Sequence, residues 1–383
     1  MIKFCSRFLK YAHIVLFSFL AVSSLLVTQS CFPPGTEESP NAPIYKIPDN
    51  IFLHVIFILI FCVTIYLLNL LVKQKPFLAV LWQKHKFLFQ FIAAACAFFV
   101  AFSMLMDGTR IPYGDQAQVY GAAMYFNSGN YINLSPGGYL DMYPHQLGYV
   151  AFLQLLFKLT GSNSFFMIQV INCLFTAGIV FGACLLLDDL TDKVYLQMIG
   201  TLSALLLLPL YCFANMLYGD TPSLFFSLLF LHHFIKALQN PRCTYFILCV
   251  LEITLAVLLK KNAIIMLLAA VIILTIHLII VKRPLFILPL LTLCIFPVGL
   301  PKLLEAHYRH VSGYEIAGGI PAISWIAMGT LEEGGCPGWF NNYPVPAYYE
   351  AGFDRQLAAE KALEKLSERF AYFKEEPVYA LSF

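Results

Sequence analysis

HQLGYVAFLQLLFKLTG, residues 145–161, is the stretch on which the architecture turns. It is apolar enough to enter a bilayer, yet it is short for a crossing, which takes about 20 apolar residues. It also carries Gln154 and Lys158 one helical turn apart. Two placements are open to it, across the membrane or along its surface. Whichever holds decides on which side every later loop lies.

The rest of the sequence makes a membrane the only solvent that fits. Of 383 residues, 60% are hydrophobic and 12% charged, against about a quarter charged in ordinary soluble domains. In lipid each backbone N–H and C=O must be satisfied within the segment, which leaves helices or a closed barrel. Long unbroken apolar runs mean helices, so the chain reads as an all-α polytopic protein. Runs near 12–30, 51–72, 87–106, 164–187, 195–214, 222–238, 244–260, 263–281 and 284–300 predict about nine spans. The first follows Lys3, Arg7 and Lys10 and has a signal-peptide alternative, although Thr28, Gln29 and Ser30 fit a cleavage site poorly.

Parity settles the 145–161 stretch, because cytoplasmic loops collect Lys and Arg. If it lies flat, Lys73, Lys75, Lys84 and Lys86, then Lys236 and Arg242, then Lys282 and Arg283 all face the cytoplasm. If it crosses, the last two groups move outside. The flat placement is therefore adopted, with 31–50, 107–163, 215–221 and 301–383 outside. The organisation is then N-terminal membrane helices over 1–86, a membrane core over 87–300 with the outer loop 107–163, and an extracytoplasmic segment over 301–383. The expected location is a bacterial plasma membrane, with the candidate site facing outward.

On that topology the unusual polar residues share the outer face. Asp115, in the outer loop, is the candidate catalytic carboxylate; the competing reading is a capping box with Gln118. Asp220 lies just before Thr221 and Pro222, where Thr221 is the natural N-cap and Asp220 has no capping task. An acid without a structural task at a membrane boundary points to function, with simple solvation as the alternative. Lys260 and Lys261 stand at the outer end of one span against the usual charge bias. They either snorkel to headgroups or meet a phosphate, which lysine binds as a point charge. In the same loop Tyr143, His145 and Gln146 are read as substrate contacts at the start of the flat helix.

Other features add less. The net charge of +2 implies no nucleic-acid partner. Most of the 11 cysteines, Cys62, Cys96, Cys173, Cys184, Cys212, Cys249 and Cys294 among them, lie in apolar runs and read as small apolar residues. Cys31 and Cys336 are both outside and able to pair, but two such distant cysteines are no framework signature. After Leu300, Gly and Pro mark turns, and 354–376 reads as a solvated charged helix with Lys361–Glu364 and Lys365–Glu368 pairs.

A long outer loop with an early aspartate, then a Tyr-Pro interfacial helix ending in Leu-Phe-Lys-Leu-Thr-Gly, resembles the GT-C superfamily of polytopic glycosyltransferases. The branches it looks most like are protein O-mannosyltransferases, lipid A aminoarabinose transferases and rhizobial lipopolysaccharide galacturonosyl transferases. The resemblance runs from about Asp107 to Arg283. It implies that Asp115 is the catalytic acid of an Asp-Glu type motif. Gln116 stands where Glu is usual, which weakens any metal site, so no cofactor is expected. Asp220 resembles the acid at the outer end of a later span, and Lys260 with Asn262 the cation that meets the carrier phosphate. Trp325, Met328, Gly329, Gly338, Trp339 and Asn341 resemble the family's later outer loop. The implied partners are a polyprenyl-phosphate sugar donor, membrane lipids and a glycan, lipid or protein acceptor, with transfer inverting the sugar. Two competing expectations are a non-enzymatic flippase or export component for lipid-linked glycans, to which Glu252 and His277 inside spans would belong, and an inactive remnant truncated after Phe383.

Overall fold

The computed structural model describes residues 10–12, 14–20, 22, 29–31, 45–47, 50–108, 110–316, 318–332, 338 and 340–383. Residues 13, 21 and 23–28 of the 12–30 run, the Cys31 side chain, Cys336 and Trp339 lie outside the described residues. Apart from a two-stranded antiparallel ribbon, β1 Gln29–Cys31 with β2 Tyr45–Ile47, the described chain is helical. Its longer helices are α1 Ile51–Gln74, α2 Pro76–Asp107, α3 Gly114–Asn127, α4 Leu147–Thr160, α5 Phe165–Leu190, α6 Val194–Leu205, α7 Asp220–Gln239, α8 Cys243–Leu259, α9 Lys261–Ile280 and α10 Pro284–Ser312.

By length and composition, six of these helices, α1, α2, α5, α7, α9 and α10, are able to cross a membrane among the described residues. A seventh span arises if α6 and its continuation Leu208–Asn215 count as one, bent by 41°. The bend has a local cause. Pro209 lacks an N–H and its ring crowds the carbonyl four residues back, so the helix stops and restarts. The run expected at 244–260 forms α8, whose 17 residues make it a shorter apolar helix. Against the nine expected spans, the described residues give six to seven candidates, since the 12–30 run lies partly outside them and the 244–260 run forms a helix of 17 residues.

α4 has 14 residues and rises about 21 Å, short of the ~30 Å hydrocarbon core. Gly161 in the left-handed region ends it. Leu147, Val150, Leu153, Gln154 and Phe157 form its buried stripe, while Leu155, Lys158 and Leu159 face out. Gln154 is the polar pin of that stripe. Its Nε2 donates to the Phe126 carbonyl at 2.9 Å, and the Tyr308 hydroxyl donates to its Oε1 at 2.5 Å.

The chain divides into two compact units. The larger, Val63–Leu140 with Pro144–Ile316, is the helical bundle. α5 packs on α2 and α7, and α7 packs on α8. Side-chain bonds fix their directions, with α2 and α8 antiparallel to the parallel pair α5 and α7. Near one end Gln90 of α2 and Lys86 hold Asp188 of α5 at 2.9 and 3.1 Å, and Lys236 of α7 holds Asp189 at 2.7 Å. Toward the same end His232 meets Asp189 at 2.6 Å and His233 meets Glu252 of α8 at 2.8 Å. Glu252 therefore has an internal partner, as a charge inside a bundle requires. The starts of α3, α5, α7 and α9 and the end of α8 fall at the other end.

The smaller unit is Met1–Cys62, Asp141–Tyr143 and Ala317–Phe383. Tyr348, Ala351, Ala358 and Ile320 form its core, with Met142, Tyr143, Trp325 and Phe353 packed around. The helix Arg355–Glu375 is capped by Asp354, which accepts from the backbone of Gln356 and Leu357. It is not solvated all round, since Ala358, Ala362 and Leu366 are buried. Lys365 pairs with Glu368 at 3.4 Å, whereas Lys361 donates to the Glu350 carbonyl. The apolar end has a task as well: Tyr372, Phe373, Tyr379 and Phe383 surround the Arg369 guanidinium at 4.9 to 5.7 Å.

Candidate functional site

α3 starts at Gly114, and its N-cap is Tyr113 with no side-chain capping bond. The capping-box reading of Asp115 is therefore not what forms. Asp115 is exposed in the first helical turn, where the macrodipole favours an anion. Its Oδ2 accepts a 2.6 Å hydrogen bond from the Tyr218 hydroxyl.

Two bonds from side chains clamp the backbone just before Tyr218. The neighbouring Leu217 N–H donates to Gln116 Oε1 at 2.8 Å, with Gln116 almost fully buried. Asn172 of α5 donates to the Met216 carbonyl at 2.8 Å. Gln116 thus has a structural use for its amide, one that explains an uncharged residue beside Asp115. A buried carboxylate at that point would carry a desolvation cost.

Close backbone contact places the lysine. A Cβ on Gly219 would lie 2.0 Å from the Leu259 carbonyl oxygen, and one on Gly148 would lie 1.9 Å from that of Leu258. Only glycine lets the starts of α7 and α4 touch the last turn of α8 in this way. The Ser223 hydroxyl adds a 2.9 Å bond to the Ala256 carbonyl. With its end wedged there, α8 delivers Lys260 onto Asp220, Nζ to Oδ2 2.8 Å, with the same ammonium 5.3 Å from the Tyr218 ring centre. α7 begins at Asp220 with Gly219 as N-cap, so the buried Thr221 does not cap as its sequence position suggested. Lys261 is exposed.

His145 joins the same field. Desolvation is the largest influence lowering its pKa from 6.5, and Lys260 and Lys261 lower it further against an opposing pull from Asp115. Burial raises the Tyr218 pKa most, followed by its bond to Asp115 and then by Tyr139, so the phenol keeps its proton. The structure thus brings Asp115, Asp220, Lys260, Lys261 and His145 into one electrostatic neighbourhood.

The other two predicted contacts lie differently. Gln146 is buried at the N-cap of α4. Tyr143 belongs to the smaller unit, its ring 6.2 Å from Trp325. Sequence reasoning missed Tyr218, Gly219 and Gly148, whose signal was a glycine beside a tyrosine at each helix start: Gly148-Tyr149 and Tyr218-Gly219. Among the described residues no group of three or more His, Cys, Asp or Glu side chains is arranged to hold a metal ion.

Residues 145–301 of this bundle match a family model of the GT-C superfamily of membrane glycosyltransferases. The particular family matched, over residues 145–301, is the one described as dolichyl-phosphate-mannose-protein mannosyltransferase. The matched stretch holds α4 to most of α10, with His145, Asp220, Lys260 and Lys261, and begins after Asp115. Neither the curated proteins nor the solved structures give a match.

Proposed function

We propose that this membrane glycosyltransferase takes its sugar from a polyprenyl-phosphate carrier and passes it, with inversion, to an acceptor hydroxyl on a cell-envelope glycan, lipid or protein at the outer face. The observation that carries this reading is the Asp115–Tyr218–Lys260–Asp220 arrangement, a carboxylate at the hydroxyl and an ammonium over the ring of one phenol. The matched family's name, with its lipid-phosphate sugar and mannosyl transfer, supports the donor class.

Asp115 accepts the proton of the attacking hydroxyl as general base. The new bond forms from that oxygen to the anomeric carbon as the bond to the phosphate oxygen breaks. The departing pair leaves on the phosphate, where Lys260 and Lys261 stabilise it. His145, largely neutral near pH 7, can donate a hydrogen bond to substrate without adding a third cation.

Radiolabelled transfer from a panel of polyprenyl-phosphate sugars by purified protein tests the reading. Lys260→Ala is expected to raise donor KM about 10- to 100-fold, the effect of losing a charged hydrogen bond. Lipid scrambling by wild type with no transfer from any donor would favour the flippase.

A further inference from the structure

Resting on that reading, the geometry points to Tyr218 as the positioning residue of the transfer site: its hydroxyl aims the Asp115 carboxylate, and its ring keeps that carboxylate apart from Lys260. Asp115 and Lys260 carry opposite charges, and nothing but distance and intervening atoms stops such groups from pairing directly. Paired, the base would be spent on the cation and lost to the reaction. Tyr218 offers each a different partner. The hydroxyl edge engages Asp115 Oδ2 at 2.6 Å, and the ring lies 5.3 Å from Lys260 Nζ. Asp220, two residues along the same backbone, takes the ammonium at 2.8 Å.

The arrangement also chooses which carboxylate oxygen works. A hydrogen bond to an ionised acceptor is a strong one, and Oδ2 is committed to it. Oδ1 is left to receive the acceptor's proton. The phenol is a donor in this contact, since burial and the carboxylate both oppose its ionisation. Its own position is fixed by the Gln116 and Asn172 bonds on the residues before it and by the contact of Gly219 behind it.

The test compares Tyr218→Phe and Tyr218→Ala with wild type and Asp115→Asn, as full chains in lipid nanodiscs, using whichever radiolabelled polyprenyl-phosphate sugar of the panel wild type consumes. Tyr218→Phe keeps the ring and removes the hydroxyl. It is expected to lower kcat about 10-fold or more, as loss of one charged hydrogen bond would. Donor KM should stay within about 2-fold, and the acidic limb of kcat against pH should move up by about one unit. Tyr218→Ala removes the spacer and is expected also to raise donor KM. A structural role alone would not move the pH limb of a Phe variant that unfolds at the wild-type temperature. An unmoved limb with kcat within about 2-fold of wild type would overturn the proposal while Asp115→Asn stays inactive. If Asp115→Asn transfers at full rate, or wild type consumes no donor, the transfer reading itself falls and takes this inference with it.

Discussion

At the scale of single residues, His145 gives the account a pH dependence with a definite sign. Its folded pKa lies below the ordinary 6.5, so the unfolded chain takes up a proton first as pH falls. The stability it contributes is fully present above 6.5 and is lost as pH drops from 6.5 through the lowered folded value. Thermal unfolding in detergent should therefore show less acid sensitivity below about pH 6.5 in His145→Gln than in wild type. Equal acid sensitivity would show that burial and the lysines do not lower the pKa of this ring. The charged residues of the site were legible in sequence, because an ion at the edge of an apolar run needs a reason. Tyr218 was not, since a tyrosine near a membrane boundary is commonplace and its role arises from Asp115, 103 positions away.

At the scale of elements, the site is made by helix ends meeting. α8 has 17 residues, and its last turn is where α4 and α7 touch it through Gly148 and Gly219. Gly219→Ala puts a methyl into the Leu259 carbonyl and must displace one backbone. The expected cost is about 1–3 kcal/mol, read as a lower unfolding temperature, with loss of donor affinity because Lys260 and Asp220 shift together. Wild-type stability and affinity in that variant would mean that the contact is slack. The helices themselves were readable from apolar runs. Their breaks were less so, although Pro209 marks one, because hydropathy averages over a kink that a single missing N–H produces. The clamps on Met216, Leu217 and Gly219 are side-chain to backbone or backbone to backbone, and such pairings leave no periodic trace in sequence.

For the whole molecule, the parallel run of α5 and α7, with α8 antiparallel to α7, separates two polar assemblies. Lys86, Asp188, Asp189 and Lys236 lie toward one end, and Asp115, Asp220 and Lys260 at the other. Charges paired among themselves toward the first end leave the second as the place where a charged substrate finds partners. With exposed cysteines replaced, single cysteines at the exposed Asn262 and Asn240 should label from opposite sides, Asn262 from outside. Labelling of both from one side would break the antiparallel arrangement. The central claim, that Asp115 is the base of a sugar transfer, meets its most direct test in the transfer rate of Asp115→Asn at saturating donor. The predicted result is a fall of about 100- to 10,000-fold with folding intact, the usual range for a general base. Transfer by Asp115→Asn at the wild-type rate would contradict it.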